Sequence, residues 1–143
     1  MKTILFIDDD QGILDMYNLY FSVSPRKEEY RFLSASTIDK GRELAQGEHP
    51  DIILLDLVLQ KILVPQTYEE IKKEELSKEY GFNLLQEFKS NPATQMIPII
   101  ILSNLSSLQD KDRAEQLGAN QYLVKSDVVP SQVFEEIKKY LNI

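Results

Sequence analysis

Short apolar runs rich in β-branched residues alternate along this chain with segments of helical periodicity, and nothing else in the sequence restricts the fold as much. The runs are Thr3 to Ile7, Tyr30 to Ser34, Asp51 to Leu55, Ile97 to Leu102 and Gln121 to Val124. Strands separated by helices are the pattern of an α/β fold with a parallel sheet covered on both faces. The first, third and fourth runs are almost continuously apolar, as strands buried on both sides must be, whereas the second is mixed and fits an edge. Apolar spacing predicts amphipathic helices over Gln11 to Val23, Ile38 to Gln46, Gly81 to Ser90, Leu108 to Leu117 and Ser131 to Leu141. Gly118 and Asn120 are suited to end the fourth of these, and Pro130 to open the fifth.

One stretch breaks the rhythm. Gly81 lies 25 positions after Asp56, where a strand-to-helix loop usually takes roughly two to six residues. The insertion covers about 60–80. It opens with the apolar LVLQKILVP and continues with TYEE, a capping box that puts Thr67 at the N-cap, Glu70 at the third helical position and the helix start at Tyr68. From Glu69 to Glu79 there are five Glu and three Lys, so a solvated helix is expected. Its apolar positions, Ile71, Leu76 and Tyr80, supply at most a narrow packing stripe, and the sequence leaves open whether it is continuous with the helix after Gly81.

Composition excludes several function classes. With 143 residues, 43% of them hydrophobic and 27% charged, the chain is expected to form one globular domain over 1–143. A net charge of -7 disfavours nucleic acid and anionic lipid as partners. No apolar run reaches the roughly 18 to 20 residues of a membrane span, and MKTILFIDDD turns acidic before a signal-peptide core forms, so a cytoplasmic location is expected. There is no cysteine, and His49 is the one histidine. Any chemistry falls to carboxylates.

Those carboxylates have a pattern. Asp8, Asp9 and Asp10 follow the first strand and Asp56 follows the third, at the carboxyl edge where open α/β sheets bind ligands. Acidic groups converging there repel one another, and a divalent cation such as Mg²⁺ relieves that repulsion. Ser103 ends the fourth strand and Lys125 follows the fifth. Carboxylates, a cation, a hydroxyl and an ammonium at one edge describe a site for a phosphoryl group. Singly, each residue has a plainer reading. Asp10 directly precedes the first helix and reads as its N-cap, Asp51 lies at the opposite edge, His49 is a loop residue, Ser103 alone would be a cap and Lys125 alone a surface lysine.

The segments ILFIDDD, ASTIDKGRELAQGEHPDIILLDLVL, GFNLLQEFKSNP, IPIIILSN and GANQYLVKSD resemble the receiver domain of bacterial two-component response regulators, nearly end to end apart from about 60–80. The resemblance implies a flavodoxin-like, doubly wound sheet in the order 2-1-3-4-5. It implies that Asp56 accepts a phosphoryl group from a sensor histidine kinase or phosphotransfer protein. Asp8, Asp9, Asp56 and the backbone carbonyl of Val58 would hold Mg²⁺ or Mn²⁺, Lys125 would pair with the phosphoryl group, Ser103 would be the switch hydroxyl and Tyr122 the reporting aromatic. For Tyr122 a half-buried strand aromatic is an equally good reading. The output would be a changed affinity for a downstream protein, from a stand-alone module that promotes its own phosphorylation and dephosphorylation rather than an enzyme in the ordinary sense.

Three departures from the family pattern stand out. Ser126 occupies the place of a proline that is commonly cis, so altered loop geometry is expected. The insertion replaces the usual Met-Pro after Asp56. Val58 and Leu105, at the positions that influence acyl phosphate lifetime, cannot orient a water, which predicts slow self-dephosphorylation. Two alternatives stay open: a degenerate, phosphorylation-independent interaction module, and a Mg²⁺-dependent aspartyl phosphohydrolase. Leu57 and Val58 oppose the second, because no carboxylate stands two residues after Asp56 to act as general acid.

Overall fold

The computed structural model describes residues 1–59 and 66–143. The LVLQKILVP segment therefore lies largely outside the described residues. Five strands, β1 (Lys2–Ile7), β2 (Tyr30–Ala35), β3 (Ile52–Leu55), β4 (Ile99–Ser103) and β5 (Gln121–Val124), alternate with α1 (Gln11–Val23), α2 (Ile38–Gly47), α3 (Tyr68–Ser90), α4 (Leu108–Gln116) and α5 (Pro130–Leu141). All strand pairs are parallel, in the order β2-β1-β3-β4-β5. The three apolar runs are the central strands and the mixed run is an edge.

Because successive side chains of a strand point to opposite faces, the continuous apolar runs feed two cores. Leu5, Ile7, Ile53, Leu55, Ile99 and Ile101 pack with Ala45 of α2, Phe82, Leu85 and Phe88 of α3 and Ala114 of α4. Ile4, Phe6, Ile52, Leu54, Ile100 and Leu102 pack with Leu14, Tyr17 and Phe21 of α1 and with Phe134, Ile137 and Leu141 of α5. Each of these large side chains, fully buried, stabilises the fold by about 1.5 to 3 kcal/mol. No described helix is long and apolar enough to cross a membrane.

Local signals act where the sequence places them. Thr67 accepts the amide of Glu70 at 3.1 Å, and α3 begins at Tyr68. Glu70 reaches back to the amide of Gln66 at 2.9 Å, one residue earlier than a standard capping box. Gly118, at φ +103°, closes α4: its amide donates to Glu115 and that of Ala119 to Ala114, the paired bonds of a Schellman ending.

Helix α3 is continuous from Tyr68 to Ser90, which settles the point that spacing left open. Its early turns attach differently from the stripe anticipated above. Ile71, Leu76 and Tyr80 are half or more exposed, whereas Ser77 is buried and Lys78 and Glu79 form ion pairs with α4. Gly81 is where the helix crosses the loop after β3. A Cβ there would fall 2.0 Å from the carbonyl oxygen of Leu57, so only glycine lets α3 pass this close to the residue after Asp56.

Candidate functional site

The ladder of β1 continues one residue past each strand end and fixes two carboxylates at the carboxyl edge. The amide of Asp8 donates to Ala35 at 3.0 Å, and that of Asp56 donates to Ile7 at 3.0 Å. Both side chains are then turned inward by local bonds, Asp10 N–H to Asp8 Oδ1 at 2.9 Å and Val58 N–H to Asp56 Oδ1 at 3.1 Å. Asp8 and Asp56 are fully buried. Asp10 caps α1 by accepting from Ile13 at 3.3 Å, as its position before the helix indicates.

Lys125 bridges the buried pair. Its ammonium donates to Asp8 Oδ2 at 2.6 Å and to Asp56 Oδ2 at 3.0 Å, with its side chain only 7% exposed. Even so, burial and the facing Asp56 carboxylate push the Asp8 carboxyl up to about 6, against the lowering effect of Lys125 and its hydrogen bond. One ammonium does not fully compensate three acidic groups. Asp8, Asp9 and Asp56 each offer a carboxylate oxygen, all within 4.8 Å of one another. This set of hard oxygen donors fits a small divalent cation with open positions for water, Mg²⁺ or Mn²⁺. On the α1 side, Tyr17 is buried, and that burial raises its phenol to about 12.

Ser103 and Tyr122 meet at one residue, Leu105. The buried Ser103 hydroxyl accepts the amide of Leu105 at 3.3 Å, and the Tyr122 hydroxyl donates to the carbonyl of Leu105 at 2.6 Å. Burial foremost, then Asp110, raises the Tyr122 phenol to about 12, so it is a neutral donor throughout the ordinary pH range. Neither sequence periodicity nor spacing indicates that Leu105 would be held from both ends.

The loop after β5 is a short turn that Ser126 helps to fix. No peptide bond among the described residues is cis, and Lys125 to Asp127 form a short 3-10 turn. Ser126 donates its amide to the Asn104 side chain at 2.9 Å, a bond that proline has no hydrogen to make. Asn104 was not singled out in the sequence, and its position beside Ser103 is the one signal that pointed to it.

A five-stranded parallel sheet in this order, with three carboxylates, a hydroxyl and a lysine at its carboxyl edge, defines the receiver class of α/β domain. No protein-family model matches the chain. It is 31% identical over 125 residues to the DNA-binding dual master transcriptional regulator RpaA of Synechocystis, covering 87% of this chain and 43% of that protein. It is 27% identical over 125 residues to the protein PilH of Pseudomonas aeruginosa, covering 87% and 86%. The crystal structure of a response regulator receiver domain protein from Methanospirillum hungatei superposes with a TM-score of 0.72 at 25% identity, over 99% of this chain and 94% of that one. The chain thus spans less than half the length of RpaA and most of the length of PilH. It belongs to the receiver-domain family of response regulators.

Proposed function

We propose that this receiver domain is a phospho-accepting signalling module in which Asp56 takes a phosphoryl group from the phosphohistidine of a sensor kinase or phosphotransfer protein. The observation that carries the reading is the Lys125 ammonium bridging Asp8 and Asp56 beside Asp9, at the edge that also holds Ser103. In the transfer, a carboxylate oxygen of Asp56 bonds to phosphorus as the P–N bond breaks, and the imidazole leaves with the bonding pair. Asp8, Asp9, Asp56 and the Val58 carbonyl would hold Mg²⁺, which when bound supplies positive charge against the phosphoryl oxygens. Lys125, already within hydrogen-bond distance of Asp56, is placed to follow the charge onto the acyl phosphate. The Ser103 hydroxyl hydrogen would donate to that phosphate, and a shift of Ser103 toward it would pull on the Leu105 amide that its oxygen accepts, which is what would transmit the change to Tyr122 and the face around β5. The output is a changed affinity for a downstream protein. With a net charge of -7, nucleic acid is not the expected partner of this domain.

The Asp56 side chain is 1% exposed, and this favours the second reading, a receiver that works without phosphorylation. Intact-mass spectrometry after incubation with acetyl phosphate and Mg²⁺ separates the two. One added phosphoryl group, absent in Asp56→Asn, is the expected result. No adduct, where a control receiver is labelled, would replace the phosphorelay reading with the interaction module, and turnover of a small phosphate ester would point to a phosphohydrolase.

A further inference from the structure

Helix α4 has a weak apolar hold on the body, since Ala114 is its one buried residue. Polar contacts with α3 fix it instead. Arg113 turns two guanidinium nitrogens onto Glu79, Nη1 to Oε1 and Nη2 to Oε2, each at 2.7 Å, the planar fork for which arginine is preorganised. The same guanidinium lies 4.0 Å above the Phe82 ring. One turn earlier on α4, Asp110 stands 3.7 Å from Lys78, with both side chains mostly buried. The Arg113 hydrogen bond is also the main reason the Glu79 carboxyl sits below its ordinary range. On its other side α3 is tied to α2 by Arg42 and Glu87, a pair beyond Gly81. The ion pairs to α4 come from the turns ahead of Gly81.

At its other end, α4 runs into the site. Ser107 caps it by accepting the amide of Asp110 at 3.1 Å. Two residues before the cap is Leu105, whose amide is bonded to Ser103 and whose carbonyl is bonded to Tyr122. One short segment is therefore held by the site at its start and by α3 at its end.

We propose that the turns of α3 ahead of Gly81 are a built-in restraint on α4: through Glu79 and Lys78 they hold α4 and the Leu105 segment in place, so a rearrangement at Ser103 and Tyr122 must first work against that pairing. The restraint is a statement about packing; its regulatory consequence rests on the receiver reading above. Partly exposed ion pairs stabilise little singly, but α4 has little else, and a bidentate pair stacked on a ring loses more than a lone surface pair when cut.

Hydrogen exchange of the α4 amides tests the restraint in wild type, Glu79→Gln, Arg113→Ala and the double variant. Each single change is expected to speed α4 exchange about threefold to tenfold, with the double variant no faster than the faster single one. Amides of β1 and β3 should be unchanged and report that the fold is intact. Unchanged α4 exchange in Glu79→Gln, or strictly multiplicative effects in the double variant, would overturn the restraint. The regulatory half is read by titrating Mg²⁺ with beryllofluoride, a phosphoryl mimic, and following α4 exchange. Glu79→Gln should respond at a severalfold lower concentration than wild type, and equal concentrations would overturn that half. If wild type fails to respond at all, the receiver reading is what fails, and the exchange comparison alone decides the restraint.

Discussion

Lys125 donates to Asp56 at 3.0 Å across 69 positions of sequence, with both side chains almost fully buried. A buried ammonium between two carboxylates is their counter-ion, besides the phosphoryl contact proposed for it, and the energetics of the site follow from that pairing.

Removing the ammonium strands the acids. Lys125→Met is expected to destabilise the domain at neutral pH by about 3 kcal/mol, the usual cost of deleting one partner of a buried ion pair. Mg²⁺ should restore more stability to the variant than it adds to wild type, because it then meets an uncompensated acidic cluster. Urea unfolding with and without Mg²⁺ reads both effects; equal Mg²⁺ stabilisation of the two proteins would contradict the shared location.

The raised Asp8 carboxyl has a definite pH signature. Its folded value of about 6 lies above the ordinary 3.8, so between those values the folded state binds more protons than the unfolded one, and this group's contribution to stability falls as pH rises. Without Mg²⁺, Asp8→Asn should flatten that slope and be more stable than wild type near pH 7. Unfolding midpoints from pH 4 to 7 are the measurement, and a variant with the wild-type slope would assign the titration elsewhere.

Gly81→Ala is expected to act on the site from a distance. The new methyl has no room beside the Leu57 carbonyl, so α3 or the loop after Asp56 must move, at about 1 to 3 kcal/mol. Because Leu57 adjoins Asp56, labelling by acetyl phosphate should slow as well. A thermal melt paired with a labelling time course checks both halves.

Ser126→Pro removes the amide that Asn104 accepts. A loss of about 1 kcal/mol is expected, close to that of Asn104→Ala, with no further loss on combining them. Additive losses would mean that the two residues act separately.

Val58 and Leu105 flank the site with apolar side chains, and Leu105 is engaged at both its amide and its carbonyl. Neither side chain has a polar atom to orient an attacking water, so the acyl phosphate should be long-lived. Loss of the added phosphoryl mass within seconds in Mg²⁺ would refute this, and Val58→Asn should shorten the lifetime by supplying the missing polar group.

Much of this molecule was legible in the linear sequence, because the signals concerned are local. Uninterrupted apolar runs identified β1, β3 and β4 as central strands, Thr67 and Glu70 marked the start of α3, and Gly118 marked the end of α4. Asp8, Asp9, Asp56, Ser103 and Lys125 were recognisable together because a parallel sheet brings all its strand ends to one edge. Other features depend on distances between segments that no local pattern encodes. Only the packed chain determined that Lys125 bridges Asp8 and Asp56, that Tyr122 and Ser103 both bind Leu105, and that Asn104 accepts the amide of Ser126. The early turns of α3 show the division most clearly. Their charge predicted a helix in water with an apolar stripe inward, yet Ile71, Leu76 and Tyr80 face outward while Ser77 is buried and Glu79 meets Arg113. Helical periodicity fixes which residues share a face, but which face turns inward is decided by what stands opposite, and here Gly81 seats the helix on Leu57 and α4 offers an arginine.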